Sequence, residues 1–180
     1  MRRSIFCLFL AFIFGQAVLA QPNQHESKEI IFRVKNFGLT VEGSLRGLEG
    51  EIRFDPQNLS ANIFNVSIDA NSIDTGITLR DNHLRKQEYL DVKNYPRIKF
   101  VSLYVDKGDE PDQWMLTGEL TIKKTTKKIS FPFSVSAKPG SSNFKGQFKI
   151  NRRDFGVGGK SISMADELTI DLNVNTKTIQ

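Results

Sequence analysis

Apolar and polar residues alternate along most of this chain from about residue 30 onward. Phe32/Val34, Ile52/Phe54 and Phe64/Val66/Ile68/Ala70 each fall on one side of a two-residue period, with Arg33, Arg53, Asn65, Ser67 and Asp69 on the other. The spacing returns in Trp114/Leu116/Gly118/Leu120/Ile122, Ile129/Phe131/Phe133/Val135, Phe144/Gly146/Phe148/Ile150 and Leu168/Ile170/Leu172/Val174. Side chains of a strand point alternately to its two faces, so each run predicts a strand with one buried face. Turn-forming letters separate the runs: Gly47-Leu48-Glu49-Gly50, Asp55-Pro56-Gln57-Asn58, Lys107-Gly108-Asp109, Pro139-Gly140-Ser141-Ser142 and Gly156-Val157-Gly158-Gly159. Counting the runs gives about eight or nine antiparallel strands, which must close into a barrel or fold into a sandwich. Ile98–Val105 differs, because Phe100/Tyr104 and Val101/Leu103/Val105 make it apolar on both faces. That predicts a cover on its outer side.

The alternation breaks once, over Thr75–Phe100. Between Arg80 and Asp91 no period of two survives, while Leu79, Leu84 and Leu90 recur at near-helical spacing. A short helical insertion over about residues 80–91 is expected near one end of an otherwise all-β fold. Thr78 and Asp81 have the spacing of a capping box at its start. Such a helix either plugs a barrel end for stability or covers a cavity.

The first twenty residues read differently. Arg2 and Arg3 precede the apolar run Ile5–Phe14, and Ala17-Val18-Leu19-Ala20 ends in small residues. This is the pattern of a secretory signal peptide over residues 1–20, with a run too short to span a membrane. Cleavage after Ala20 would leave Gln21–Gln180 as one domain and remove Cys7, the single cysteine. Disulfides, thiolate metal sites and a cysteine nucleophile are then excluded from the mature chain. The whole chain carries a formal charge of +5, which falls to +3 without the two arginines. That balance is too mild to argue for nucleic acid.

Candidates for chemistry are few. His25 lies near the predicted mature terminus, and His83 lies in the expected helix two residues from Asp81. No serine sits in a nucleophile-elbow context, and no His/Asp/Glu cluster has metal-ligand spacing. The glycines of Gly156–Gly159 open no helical pattern, so they do not form a phosphate loop. Lys123-Lys124-Thr125-Thr126-Lys127-Lys128 is a lysine-rich turn. It either resists aggregation or offers transient contact to an anionic membrane surface. Arg80, Asp81, His83 and Arg85 are the candidates for polar contacts at a barrel mouth.

Four of the fourteen phenylalanines fall in the first twenty residues, and the other ten lie in or beside predicted strands. Phe32, Phe54, Phe64, Phe131, Phe133 and Phe148 occupy apolar faces, together with Val66, Ile68, Phe100, Trp114, Leu116 and Leu172. An eight-stranded barrel is just wide enough to be filled by side chains or to hold one small ligand. These twelve residues would line a tunnel for a long apolar ligand, or else pack into a solid aromatic core.

At this point the chain resembles a known family. Thr75-Gly76, Arg80-Asp81, His83-Leu84, Leu90-Asp91, Tyr95-Pro96 and Ile98/Phe100 match, in order, the hallmark run of the YceI-like, polyisoprenoid-binding proteins. Phe32–Gly38, Gly118-Glu119-Leu120-Thr121-Ile122 and Ile150-Asn151-Arg152-Arg153-Asp154-Phe155-Gly156 extend the likeness over nearly all of residues 21–180. The resemblance implies a lipocalin-like antiparallel eight-stranded β-barrel in the periplasm. It also implies an elongated tunnel that holds an isoprenoid or similar amphiphilic lipid, with no reaction catalysed and no cofactor required. Relatives often pair, so a homodimer is within its scope. Two departures stand out: many relatives carry a histidine where this chain has Asn36, and Lys124-Thr125-Thr126 replaces a Gly-Val-Thr turn. Loss of the histidine removes a potentially cationic contact to a head group. The competing expectation is a solid-core interaction barrel that serves a membrane or respiratory partner.

Overall fold

The computed structural model describes residues 30–177 of the 180. The expected signal peptide, Cys7 and His25 lie outside the described residues. Eight strands run in chain order: β1 (Ile30–Asn36), β2 (Leu39–Arg53), β3 (Ile63–Asp74), β4 (Arg97–Lys107), β5 (Gln113–Ile122), β6 (Thr125–Lys138), β7 (Ser141–Asn151) and β8 (Met164–Lys177). Every neighbouring pair is antiparallel, and β8 returns to β1 to close the barrel. Closure leaves no open sheet edge. The alternation explains it, since strands with one apolar face can hide those faces together only by curling the sheet on itself.

Because the strands run up and down, their connections fall alternately at two ends. The β1–β2 turn, the long β3–β4 segment, the β5–β6 turn and the β7–β8 loop share one end, hereafter the near end. The β2–β3, β4–β5 and β6–β7 connections share the far end. The one α-helix among the described residues, α1 (Thr78–Leu84), belongs to the near end.

Two local expectations are corrected. Gly47-Leu48-Glu49-Gly50 is not a turn between strands but the middle of β2, where the register against β3 shifts twice. Gly47 and Gly50 take φ of +75° and +127°, and a Cβ on Gly50 would stand 2.1 Å from the Asn65 carbonyl oxygen. These glycines let a long strand bend around the barrel as bulges. In β4 the register against β5 slips between Ser102 and Tyr104. Phe100 faces inward before the slip and Val105 after it, while Val101, Leu103 and Tyr104 remain exposed. The two-faced apolar pattern is therefore a change of phase, and α1 does not cover these exposed side chains.

The inner faces do not close into a solid core. No large side chain among the described residues is fully enclosed. Ile98, Phe100, Phe148, Ile150, Leu168, Ile170 and Leu172 pack against the core yet are only partly buried. A close-packed interior leaves few voids larger than a water molecule, so these wall residues border empty space.

Candidate functional site

Two apolar cavities of about 160 and 150 Å³ lie within the barrel. Leu45, Ile98, Ile122, Ile150 and Ile170 line both, so the cavities meet at a waist of branched side chains. The far cavity is walled by Phe64, Val66, Ile68, Phe100, Leu116, Phe131, Phe133, Phe148 and Leu172, all anticipated from the alternation. Two glycines make room for its larger rings and those of its neighbour. A Cβ on Gly118 would stand 2.3 Å from Phe100 Cζ, and one on Gly43 2.4 Å from Phe32 Cζ. Phe32 itself lines the near cavity.

Phe54 and Trp114 line neither cavity. They belong to an aromatic stopper at the far end, where Phe54 meets Trp114 at 5.3 Å, Phe133 at 5.5 Å and Phe144 at 6.1 Å between ring centroids, mostly edge to face. Phe64 adds contacts to Phe133 and Phe144 at 5.5 and 5.7 Å. Edge-to-face pairs add roughly 0.5–1.5 kcal/mol each beyond area burial. Both residues lie next to connections at the far end, where the strands run out. Their alternation alone does not distinguish a wall from a stopper.

The near end is closed by the β3–β4 segment. Gly76 turns the chain at φ +78°, Ile77 stays extended as the cap residue, and α1 begins at Thr78. The expected Thr78–Asp81 capping box does not form. Asp81 is buried and reaches back past the helix, accepting from the Thr75 N–H at 2.9 Å and from the Thr75 hydroxyl. The helix is also shorter than the expected 80–91. The Leu90 N–H donates to the Leu84 carbonyl and the Val92 N–H to the Arg85 carbonyl, while Asp91 sits at φ +50°. These bonds fold the chain back on itself. The leucines therefore part: Leu84 and Leu90 face the near cavity, whereas Leu79 is 82% exposed.

Cationic side chains bind this cover to its surroundings through backbone oxygens. Arg85 donates to the carbonyls of Asn71 and Ile73 at 2.9 and 2.8 Å. Lys123 Nζ, in the β5–β6 turn, joins the Gln87 carbonyl at 3.0 Å to that of Gly156 at 2.9 Å. Arg152, only 3% exposed, donates to the carbonyls of Ala165, Val157 and Gly159 within 3.0 Å and to Asp166 at 2.7 Å. Sequence reasoning located Arg152 but not this bracing role, because its partners are backbone groups on a separate loop.

Of the four mouth residues anticipated, Arg80 alone lines a cavity. It donates to the Thr75 hydroxyl and carbonyl, each at 2.7 Å, and no carboxylate among the described residues pairs with it. Asp81 is engaged with Thr75, Arg85 with β3, and His83 is exposed with its ring 4.8 Å from Tyr89. His83 and Asp81 are thus not joined as a base and its orienting carboxylate. Asn36 also lines the near cavity, and its side-chain oxygen is buried without a hydrogen-bond partner. The polar groups that reach the cavities therefore gather near the covered end, above an apolar interior.

The sequence profile of a family described as "YceI-like domain" matches residues 22–176. Protein YceI of Salmonella arizonae is 32% identical over 159 residues, spanning 82% of this chain and 82% of its own. Among solved structures, Burkholderia cenocepacia BcnA aligns with a TM-score of 0.78 at 24% identity, over 83% of this chain and 96% of that one. The Campylobacter jejuni YCEI protein aligns at 0.69 with 25% identity, over 78% and 86%. A polyisoprenoid binding domain from Saccharophagus degradans, implicated in plant cell wall breakdown, shares the fold at 0.68 with 13% identity, over 87% and 98%.

Proposed function

Because this chain belongs to the YceI-like family, we propose that it binds and sequesters, or carries, an isoprenoid-type or other long-chain amphiphilic lipid in the periplasm. The observation that supports this reading is the hollow, two-chambered apolar interior with polar groups at one end only. A flexible chain entering tail first would fill the far cavity and leave its head near Arg80 and Asn36. Withdrawing such a tail from water contributes about 0.8 kcal/mol per CH2-sized unit, so an apolar tunnel alone gives useful affinity. The Arg80 guanidinium suits a polar or anionic oxygen, and the Asn36 oxygen suits a ligand O–H or N–H. The polyisoprenoid binding domain of Saccharophagus degradans offers a precedent for such cargo in this fold.

Burial of the chain is the whole mechanism under this reading, and no catalytic step or cofactor enters it. The Arg2-Arg3, apolar-run and Ala20 pattern supports export, and the family resemblance points to the periplasm as the destination. N-terminal sequencing of protein recovered from the periplasm would begin at Gln21 if that assignment is right. Mass spectrometry of organic extracts from purified protein tests the cargo. A stoichiometric long-chain lipid is expected. Protein that is empty and also ignores added isoprenoids would favour an interaction barrel without lipid cargo instead.

A further inference from the structure

The two ends of the barrel differ sharply in charge. Near-end connections, residues 37–38, 75–96, 123–124 and 152–163, carry nine basic residues against four acidic ones. Far-end connections, residues 54–62, 108–112 and 139–140, carry four acidic residues and no basic one. Two of the near-end acids, Asp81 and Asp91, are buried. Lys86, Lys93, Lys124 and Lys160 are all exposed.

Exposed apolar side chains gather at the same end. Phe37 (78% exposed), Leu39, Ile77, Leu79 and Ile162 (102%) account for five of the eight large exposed hydrophobics among the described residues. Phe37 and Ile162 are brought together, because the Phe37 N–H donates to the carbonyl of Ser163 at 2.8 Å. Leu39 opens β2, and Ile77 and Leu79 follow the end of β3, the strand beside it. One side of the near-end rim is thus apolar, and the β5–β6 turn opposite supplies lysines. Apolar tips among lysines match the two layers of a bilayer surface, acyl chains beneath anionic head groups.

We propose that the near end docks on an anionic phospholipid bilayer, with Phe37, Leu79 and Ile162 entering the interface and the exposed lysines meeting lipid phosphates. Docking there would set the covered mouth, rather than the aromatic stopper, against the membrane. The inference extends the carrier reading to the place of lipid exchange. Vesicle binding is read separately from cargo, so either can fail alone.

The test is co-sedimentation of the purified protein with phosphatidylglycerol–phosphatidylethanolamine vesicles and with phosphatidylcholine vesicles. Binding to the anionic vesicles that weakens with added salt is expected. Lys93→Glu/Lys124→Glu should lower partitioning about tenfold or more, since each basic residue at a surface contributes comparably to binding. Leu79→Ser/Ile162→Ser should lower it at constant charge. Lys138→Glu at the far end and Leu103→Ser on the outer wall should leave it unchanged. All six positions are exposed, and matching melting curves would confirm that each variant folds. No binding to anionic vesicles, or equal losses from the far-end and near-end variants, would overturn the proposal. Extracted lipid without vesicle binding would leave the carrier reading standing while refuting this one.

Discussion

Replacing Ile170 with tryptophan separates a hollow barrel from a solid one. Ile170 lies at the waist, with Phe148 on β7 and Phe32 on β1 as its cross-strand neighbours. In a packed core, enlarging such a residue costs about 1–3 kcal/mol through strain. For a chain of this size that corresponds to roughly 2–4 °C of Tm per kcal/mol. Here the indole has a cavity on either side to grow into, so Tm should move by less than about 2 °C. Lipid binding should respond far more. The waist lies level with Ile68, which pairs with Ile98, and Phe64 marks the far cavity beyond it. Those four steps along β3 span roughly 13 Å, or about 10 Å along the axis at the usual strand tilt. A blocked waist denies that depth to a tail. Excluding even one five-carbon unit forfeits about 4 kcal/mol, close to a thousandfold in affinity. Thermal melts by circular dichroism and titration with isoprenoid alcohols of increasing length provide the readouts. A fall in Tm of several degrees with unchanged binding of the longest alcohol would refute the reasoning.

Other variants probe the cover and its bracing. Asp81→Ala strands the Thr75 N–H in a buried site and should cost about 1–3 kcal/mol, visible as a lower midpoint in urea unfolding. Arg152→Met leaves several buried carbonyls without their donor and Asp166 with Arg153 alone, and should destabilise by at least about 1–3 kcal/mol. Arg152→Lys should rescue little of that, because an ammonium cannot span the same fork of acceptors. Gly118→Val would drive the Phe100 ring off its seat and should weaken lipid binding, as judged by lipid retained through purification. His83→Ala should leave both stability and lipid binding unchanged, since the ring touches only Tyr89 among the rings and lines no cavity.

Period-two alternation read about eight or nine strands, where the barrel has eight, and most of the cavity wall, because burial on one face leaves a direct mark on composition. It failed where geometry departs from the repeat. Gly47 and Gly50 look like a turn in isolation, and only the pairing of β2 with β3 makes them bulges. The slip after Ser102 mimicked a strand buried on both sides. Leu79, Leu84 and Leu90 suggested one helical face, but the bond from Leu90 back to Leu84 is a loop contact that no local spacing encodes. Membership of the wall also depends on depth along the axis, which alternation cannot report. Phe54 and Phe64 have the same pattern, yet one belongs to the stopper alone and the other also borders the cavity. Arg80, Arg85, Asp81 and His83 lie close together in the chain, but different partners draw them in different directions.

The fastening of the cover has a chemical consequence. Arg85 and Lys123 hold it through carbonyl oxygens, which have no proton to gain or lose under conditions where proteins fold. Unlike a latch made of histidines or paired carboxylates, such a closure does not loosen as the medium turns mildly acidic or alkaline. No cysteine occurs among the described residues, so no oxidant can lock or spring it through a thiol. On the proposed periplasmic residence, a barrel fastened this way would keep its mouth in one state until something touched it.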